Sequence, residues 1–363
     1  MNNTPSLQNK IATLSKATWP LLRSAFSQKQ LHGYLSSPPK WPVFSSAPFF
    51  GAPAPQWRDR GNFLTHCPAS GIGTHTYSIV FALLLAVLFS VPALAAPGRV
   101  ECNTVPSKIL ARPVPYCIVL PSAFDANKSL RFPILYFLHG LGDNEQFLVH
   151  SGLWNVVEDL RDNHQLKDFL IATPDGGAGF YINSKDGKIR YEDFLIQEFF
   201  PFIEKHYRVS PGRANRAIDG VSMGGFGSLH LAFRHPQLFS SVSAHSAAII
   251  EKIPSFVANA PPSPRTRIFG GVFGSPFDAV FWEQNSPLTL ARAANLAGLK
   301  IYFDCGDQDD YGFEAGATAL DKILTRRHIV HEFHLYPGRH DYTYFAAHIP
   351  TSLIFASSQY PKE

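Results

Sequence analysis

The stretch GVSMGG at residues 220–225 decides how the rest of the chain is interpreted. It has the G-x-S-x-G spacing, in which small residues two places before and two places after a serine allow a sharp turn from a strand into a helix. Such a turn exposes the serine hydroxyl and points the first N–H groups of the helix at a developing oxyanion. The pattern therefore predicts that Ser222 is a nucleophile, provided that a strand precedes it and a helix follows it.

The residues on either side of this stretch, and the rest of the chain after residue 97, meet that condition. Residues 216–219 have the composition of a buried strand, and residues 223–234 have the period of a helix. Further strands are predicted at 99–105, 114–120, 132–138, 169–173, 241–244, 300–304 and 330–335. Further helices are predicted at 153–161, 191–207, 316–327 and 342–357, the last of them kinked or broken at Pro350. Alternating helices and buried strands predict an α/β fold, a mainly parallel sheet with helices on both faces. With the G-x-S-x-G turn placed between a strand and a helix, this arrangement resembles the α/β-hydrolase fold.

A second glycine-containing turn, HGLG at residues 139–142, follows the first strongly apolar strand. In α/β-hydrolases a turn of this kind supplies one N–H group to the oxyanion hole, and the residue after the nucleophile supplies another. We therefore predict that the backbone N–H groups of Leu141 and Met223 form the oxyanion hole.

A general base has to follow the nucleophile in the order Ser, acid, His. His340 lies between the last predicted strand and the last predicted helix, where this fold carries its catalytic histidine. His245 is a weaker alternative because it precedes every candidate acid, and His348 is expected to be a packed or surface residue. Three more histidines, at 328, 331 and 334, cross a helix end and a strand whose side chains alternate in direction, so we expect surface residues rather than a metal site.

The acid is expected in DCGDQDD at residues 304–310, after a buried strand. Its task is to orient the histidine and to stabilise the imidazolium. Asp304 ends the strand and is expected to cap or turn the chain. Spacing alone does not choose among Asp307, Asp309 and Asp310.

These motifs together resemble a family of esterases with the α/β-hydrolase fold, which includes feruloyl and acetylxylan esterases, S-formylglutathione hydrolase and the mycolyltransferases. The resemblance covers about residues 100–357, including RYEDFL at 190–195. It implies that Asp309, in a G-x-x-D turn, is the acid, and it implies oxyanion donors at Leu141 and Met223. Gly142 stands where mycolyltransferases carry an arginine, which argues against that subfamily.

The resemblance implies a serine carboxylic ester hydrolase that works through an acyl-enzyme, on a small-molecule or carbohydrate ester such as an acyl or feruloyl ester. The alternative is acyl transfer to a sugar or another alcohol by the same three residues. No cofactor and no metal are expected.

Residues 1–76 are rich in serine and proline and form a predicted non-globular leader, which is either a mis-assigned start or a targeting extension. Residues 77–95 contain an eleven-residue apolar run and end in Ala-Leu-Ala, which is typical of a signal peptide cut after Ala95. Residues 97–363 form the predicted catalytic domain, in which the proline- and glycine-containing segment 251–298 is a candidate cap. The protein is therefore expected to be secreted or periplasmic, with no stable membrane span after cleavage.

Charge and cysteine content add two expectations. Residues 1–96 hold seven basic residues and one acidic residue, which leaves 25 basic and 27 acidic residues in the rest, so no nucleic-acid partner is expected. Cys102 and Cys117 lie in neighbouring strand-like stretches and are predicted to form a disulfide in an oxidising compartment, whereas Cys305 is expected to be a core thiol. Aromatic residues at 180–181 and 269–282 are expected either to line a pocket or to pack in the core.

Overall fold

A computed structural model describes residues 97–251, 253 and 264–361. The predicted leader and signal peptide lie outside the described residues. Eight strands form one sheet in the order β1-β2-β4-β3-β5-β6-β7-β8. The strands are β1 Arg99–Ser107, β2 Arg112–Leu120, β3 Ile134–Leu138, β4 Leu170–Pro174, β5 Arg216–Gly220, β6 Ser241–His245, β7 Lys300–Gly306 and β8 Glu332–Tyr336.

The sheet is antiparallel at one edge and parallel elsewhere. Strand β2 pairs antiparallel with both β1 and β4, whereas the pairs from β4 through β8 are all parallel. This topology confirms the predicted α/β-hydrolase fold. The order reverses around β3 and β5, so the loops after these strands open at a switch point, where ligands bind in open α/β sheets.

Helices cover both faces of the sheet, as predicted, because the central strands are apolar on both sides. Tyr136 and Leu138 belong to one apolar layer, while Leu135 and Phe137 belong to the other. The helices are α1 Ser122–Ala126, α2 Phe147–His150, α3 Leu153–Asp162, α4 Tyr191–Phe194, α5 Phe200–His206, α6 Met223–Arg234, α7 Pro264–Phe273, α8 Ala279–Asn285, α9 Pro287–Ala293, α10 Phe313–Arg326 and α11 Tyr342–Gln359. No helix in the described part of the chain is long and apolar enough to cross a membrane.

The two prolines inside the predicted helices have different effects on the observed helices. The predicted helix 191–207 contains a π-helical turn, Leu195–Phe199, between α4 and α5. Pro201, just after that turn, has no N–H with which to continue the α-helical ladder. Pro350 lies inside α11, which continues through it, so the expected break is wrong, and the alternative, a kink, stays a prediction. Ile349 and Leu353, buried against the sheet, hold both sides of this proline in the helix.

Cys102 and Cys117 are direct partners across β1 and β2, and a disulfide joins them. Cys305 is fully buried, as expected for a core thiol.

The described part of the segment 251–298 forms α7, α8 and α9. Its aromatic side chains pack inward: the Phe273 and Trp282 rings lie 4.6 Å apart, and both contact Phe180. All three side chains are at most 3% exposed. Of the two expectations for these aromatics, core packing holds for the three. Whether the whole segment acts as a cap stays a prediction.

Candidate active site

Ser222 lies at the turn between β5 and α6, with φ 55° and ψ −114°. This conformation is strained for a residue with a side chain, and it is the form taken by a nucleophile elbow. Two glycines make the turn possible. A Cβ on Gly224 would collide with the carbonyl oxygen of Leu138, and a Cβ on Gly220 would lie 2.5 Å from the Gly224 backbone. The glycines of the motif are therefore required by the close approach of β3, β5 and α6.

The structure brings Ser222, His340 and Asp309 together from three distant parts of the chain. His340 Nε2 lies 3.0 Å from Ser222 Oγ, and His340 Nδ1 lies 2.7 Å from Asp309 Oδ2. The Asp309 side chain is fully buried, and the His340 side chain is 8% exposed. These distances are those of a nucleophile, a general base and an orienting carboxylate.

The aspartates that spacing left open have different partners. Only Asp309, of the three, contacts His340; its other oxygen accepts the Tyr311 N–H at 2.9 Å. Asp307 accepts the backbone N–H of Gly338, and Asp310 forms an ion pair with Arg339 at the surface. Gly306 lets the two loops meet, because a Cβ there would lie 2.5 Å from the Gly338 carbonyl oxygen.

The surroundings of His340 are apolar. The Tyr311, Phe313 and Phe345 rings stand edge-on to the imidazole, with centroids 4.8 to 5.4 Å away. Cys305 Sγ lies 3.7 Å from Asp309 Oδ2. Burial raises the pKa of the Cys305 thiol, so it stays protonated and donates weakly to the carboxylate.

The turn after β3 packs directly against the nucleophile. A Cβ on Gly140 would lie 3.5 Å from the Ser222 Cβ, so the following residue, Leu141, is next to the site. The buried His139 fixes this turn: Nε2 accepts the Gly176 N–H at 2.9 Å, so Nδ1 carries the proton and donates to the Gly140 carbonyl at 2.8 Å.

Met223 begins α6, so its N–H has no acceptor within its own helix. Both predicted oxyanion donors, Leu141 and Met223, therefore flank Ser222.

The competing histidines are engaged elsewhere. His245 is fully buried and bonded to Asp304 and Ser352, so it is excluded as a base for a substrate. His348 stacks on Tyr336, with centroids 4.2 Å apart. The expectation that Asp304 caps or turns the chain is wrong, because this residue is 1% exposed and its carboxylate binds His245 inside the protein.

The histidines at 328, 331 and 334 do not form a cluster of metal ligands. His328 is exposed, whereas His331 and His334 are part-buried, so the expected surface position was correct only for His328. His331 pairs with Asp321. Among the described residues, no group of three or more His, Cys, Asp and Glu side chains is arranged to hold a metal.

Sequence reasoning missed a set of buried polar side chains around the site. Asp219 and His139 are both fully buried, one just before the elbow and one in the turn after β3. The available signal was a charged or imidazole side chain at the end of an otherwise apolar strand, which requires a buried partner.

Several known proteins are similar to this chain in sequence. A family model described as "Putative esterase" matches residues 107–356. Esterase MT1326 of Mycobacterium tuberculosis (strain CDC 1551 / Oshkosh) is 31% identical over 228 residues, which are 58% of this chain and 48% of that protein. The chain thus spans about half the length of this relative. An endo-1,4-beta-xylanase/feruloyl esterase of Xylanibacter ruminicola is 31% identical over 116 residues, 31% of this chain and 16% of that protein.

Solved structures show the same fold. A ferulic acid esterase is 26% identical and superposes with a TM-score of 0.64, covering 73% of this chain and 99% of that one. The S-formylglutathione hydrolase FrmB of Staphylococcus aureus is 19% identical, with a TM-score of 0.58, and covers 72% of this chain and 100% of that one.

Proposed function

The chain belongs to the family described as Putative esterase, and from this premise we propose that it is a serine carboxylic ester hydrolase. The observation that carries the proposal is the hydrogen-bonded line from Ser222 through His340 to Asp309, at the switch point of an α/β-hydrolase sheet. The names of relatives and structural neighbours, which include esterases and a ferulic acid esterase, support the reaction class.

The proposed reaction begins when His340 Nε2 takes the proton of Ser222 Oγ as the oxygen attacks the ester carbonyl. Asp309 holds the imidazole in the tautomer with a proton on Nδ1 and stabilises the imidazolium. The N–H groups of Leu141 and Met223 donate to the oxyanion of the tetrahedral intermediate. His340 then gives the proton to the leaving alcohol, and an acyl-enzyme remains on Ser222.

The second half repeats the same chemistry with water. His340 takes a proton from a water molecule, which attacks the acyl carbonyl. The acid leaves when the proton returns to Ser222 Oγ. No group other than the side chains and N–H donors named here is needed for this cycle.

The proposed substrate is a small-molecule or carbohydrate ester, including acyl and feruloyl esters. Two half-exposed apolar side chains support an apolar acyl group: Leu141 follows the oxyanion turn and is 45% exposed, and Tyr311 packs on His340 and is 47% exposed. We further propose that the enzyme is secreted or periplasmic, since the apolar run and Ala-Leu-Ala ending of residues 77–95 have the pattern of a signal peptide.

Hydrolysis of 4-nitrophenyl acetate, 4-nitrophenyl butyrate and methyl ferulate by the wild type and by Ser222→Ala tests this proposal. We expect the wild type to release free acid and the variant to keep less than a hundredth of the rate. A folded variant that keeps more than a tenth of the wild-type rate would rule out Ser222 as the nucleophile. If added glycerol collects most of the acyl group as an ester, the enzyme is a transferase instead.

A further inference from the structure

A second array of serine, histidine and aspartate lies wholly inside the protein. His245, at the end of β6, is 2.8 Å from Asp304 Oδ2 through Nδ1 and 2.8 Å from Ser352 Oγ through Nε2. Ser352 donates to Asp219 Oδ2 at 2.6 Å. All four residues are at most 1% exposed, so none of them reaches a substrate.

The hydrogen bonds require a protonated imidazole. Nδ1 faces a carboxylate, which accepts only. The single proton of Ser352 has two acceptors, Asp219 Oδ2 at 2.6 Å and the Ile349 carbonyl at 2.9 Å, so Ser352 Oγ accepts from Nε2. Burial opposes the positive charge, but Asp304 and Asp219 outweigh it and raise the pKa of His245 to about 10. His245 is therefore a buried cation between two carboxylates.

The carboxylates have no unused oxygen. Asp304 accepts the hydroxyls of Tyr302 at 2.9 Å and Tyr344 at 2.7 Å, in addition to His245. Asp219 accepts the N–H of Gly220 at 2.7 Å. A fully satisfied network of this kind holds its members in one arrangement.

Two hydrogen bonds connect the network to the turn that carries the nucleophile. The carbonyl of His245 accepts the N–H of Ser222 at 2.9 Å, and the bond between Asp219 and Gly220 fixes the residues just before the elbow. The backbone of the elbow is strained at Ser222, so contacts from neighbouring residues are needed to keep it in this conformation.

The network is also connected to the segments that carry Asp309 and His340. Asp304 precedes the Gly306 turn that leads to Asp309. Tyr344, whose hydroxyl donates to Asp304, also donates its N–H to Asp341 at the start of α11, and its ring packs against Gly338. It therefore contacts the chain on both sides of His340. The segments that carry Ser222, Asp309 and His340 are therefore all tied to one buried cation.

We propose that His245 is a positioning residue, whose buried charge holds the three catalytic segments in register through Asp219, Asp304 and Tyr344. This proposal rests on the proposed function. It assigns His245 no contact with the substrate, and it predicts a loss in kcat rather than in KM when the charge is removed.

The chain offers a matched control. His230 is also fully buried and bonded to a carboxylate, Glu192, at 3.0 Å. It lies two turns along α6, and its other ring nitrogen faces the Asn285 carbonyl rather than a catalytic loop. Replacing either histidine by glutamine removes a buried partner of a carboxylate. Only the change at His245 removes the cation that joins the catalytic segments.

The kinetic test compares the wild type, His245→Gln, His230→Gln and the double variant His245→Gln/Asp304→Asn, which restores the net charge of the buried network. We expect His245→Gln to lower kcat at least tenfold with KM within about twofold. We expect His230→Gln to keep kcat within about twofold, and the double variant to recover part of the loss. A folded His245→Gln that loses no more kcat than His230→Gln would overturn the proposal.

A second measurement observes the charge in the wild type itself, and the double variant serves only to assign the signal to His245. Long-range ¹H–¹⁵N spectra of the histidine-labelled wild type at pH 8 are expected to show one imidazole with both nitrogens protonated, which is absent from the double variant. A neutral His245 at this pH would refute the buried cation. Wild-type ester hydrolysis, measured in parallel, separates the proposed function from the role proposed for His245. An inactive wild type refutes the proposed function. An active wild type with an unaffected kcat in His245→Gln refutes only the role of His245.

Discussion

Replacement of Asp309 by asparagine tests the assignment of the acid by removing one charge and exchanging one oxygen for an amide group. In the wild type, Oδ1 accepts the Tyr311 N–H at 2.9 Å and Oδ2 accepts His340 Nδ1–H at 2.7 Å. Asparagine has a single acceptor oxygen, so one of these donors must face an NH₂ group. Because the side chain is fully buried, water cannot relieve that conflict.

Either orientation of the asparagine is harmful in a predictable way. If the oxygen stays on the Tyr311 N–H, the amide donates to His340 Nδ1, and the imidazole proton moves to Nε2, where it can no longer accept from Ser222. If the oxygen faces His340, two donors meet at Tyr311, at a cost of about 1–3 kcal/mol. In both cases the imidazolium loses its counter-charge. By analogy with the protease triad, kcat falls about 10⁴-fold, which corresponds to about 5.4 kcal/mol of transition-state stabilisation.

The neighbouring aspartates provide the matched controls for this variant. Asp307→Asn keeps an amide oxygen that can still accept the Gly338 N–H, and Asp310→Asn removes a surface ion pair with Arg339. Exposed ion pairs contribute about 0–1 kcal/mol, so we expect kcat within about threefold of wild type for both. The assay is steady-state hydrolysis of 4-nitrophenyl acetate after circular dichroism shows that each variant is folded. Near-normal kcat in Asp309→Asn, with collapse in Asp307→Asn or Asp310→Asn, would refute the assignment.

Three further predictions concern stability. Gly224→Ala should lower the free energy of unfolding by at least about 3 kcal/mol, because its Cβ collides with the backbone of β3. The control Gly271→Ala, with nothing within 4 Å of its Cβ, should unfold like the wild type. Equal melting temperatures for the two variants would contradict the elbow geometry. Cys102→Ser/Cys117→Ser should lose about 3 kcal/mol in urea unfolding, the loop-closure estimate for a separation of 15 residues, and an unchanged midpoint would show that the bond adds nothing. The folded-state pKa of His245 is raised from 6.5 to about 10. Its contribution to the free energy of unfolding is therefore complete below pH 6.5 and is lost as the pH rises to about 10. Thermal unfolding should show this decline in the wild type but not in His245→Gln/Asp304→Asn.

The sequence predicts those parts of the site that local chemistry or strand order determines. Ser222 follows from glycine spacing, because only a residue without a Cβ fits where β3, β5 and α6 meet. His340 follows from its place after the last strand, since parallel strands bring their carboxyl ends to the same edge of the sheet. The fold itself follows from the alternation of buried strands with amphipathic helices.

The remaining parts depend on contacts that no local pattern encodes. The turn after Gly306 carries three aspartates, and its backbone conformation alone decides which of them faces His340. Asp304 looked like a strand-end cap because its partner, His245, lies on a neighbouring strand far away in sequence. Pro350 looked like a helix break, and tertiary packing of the helix on the sheet overrides that preference.

Fluorophosphonate labelling followed by peptide mapping tests the central claim most directly, because the probe reacts only with a serine that a neighbouring base activates. The measurement compares the wild type with Ser222→Ala and Asp309→Asn, each shown to be folded. We predict one adduct per wild-type chain, on Ser222, no adduct in Ser222→Ala, and labelling of Asp309→Asn at least a hundredfold slower. A wild-type protein that hydrolyses esters but carries its adduct on another residue, or none at all, would contradict the account.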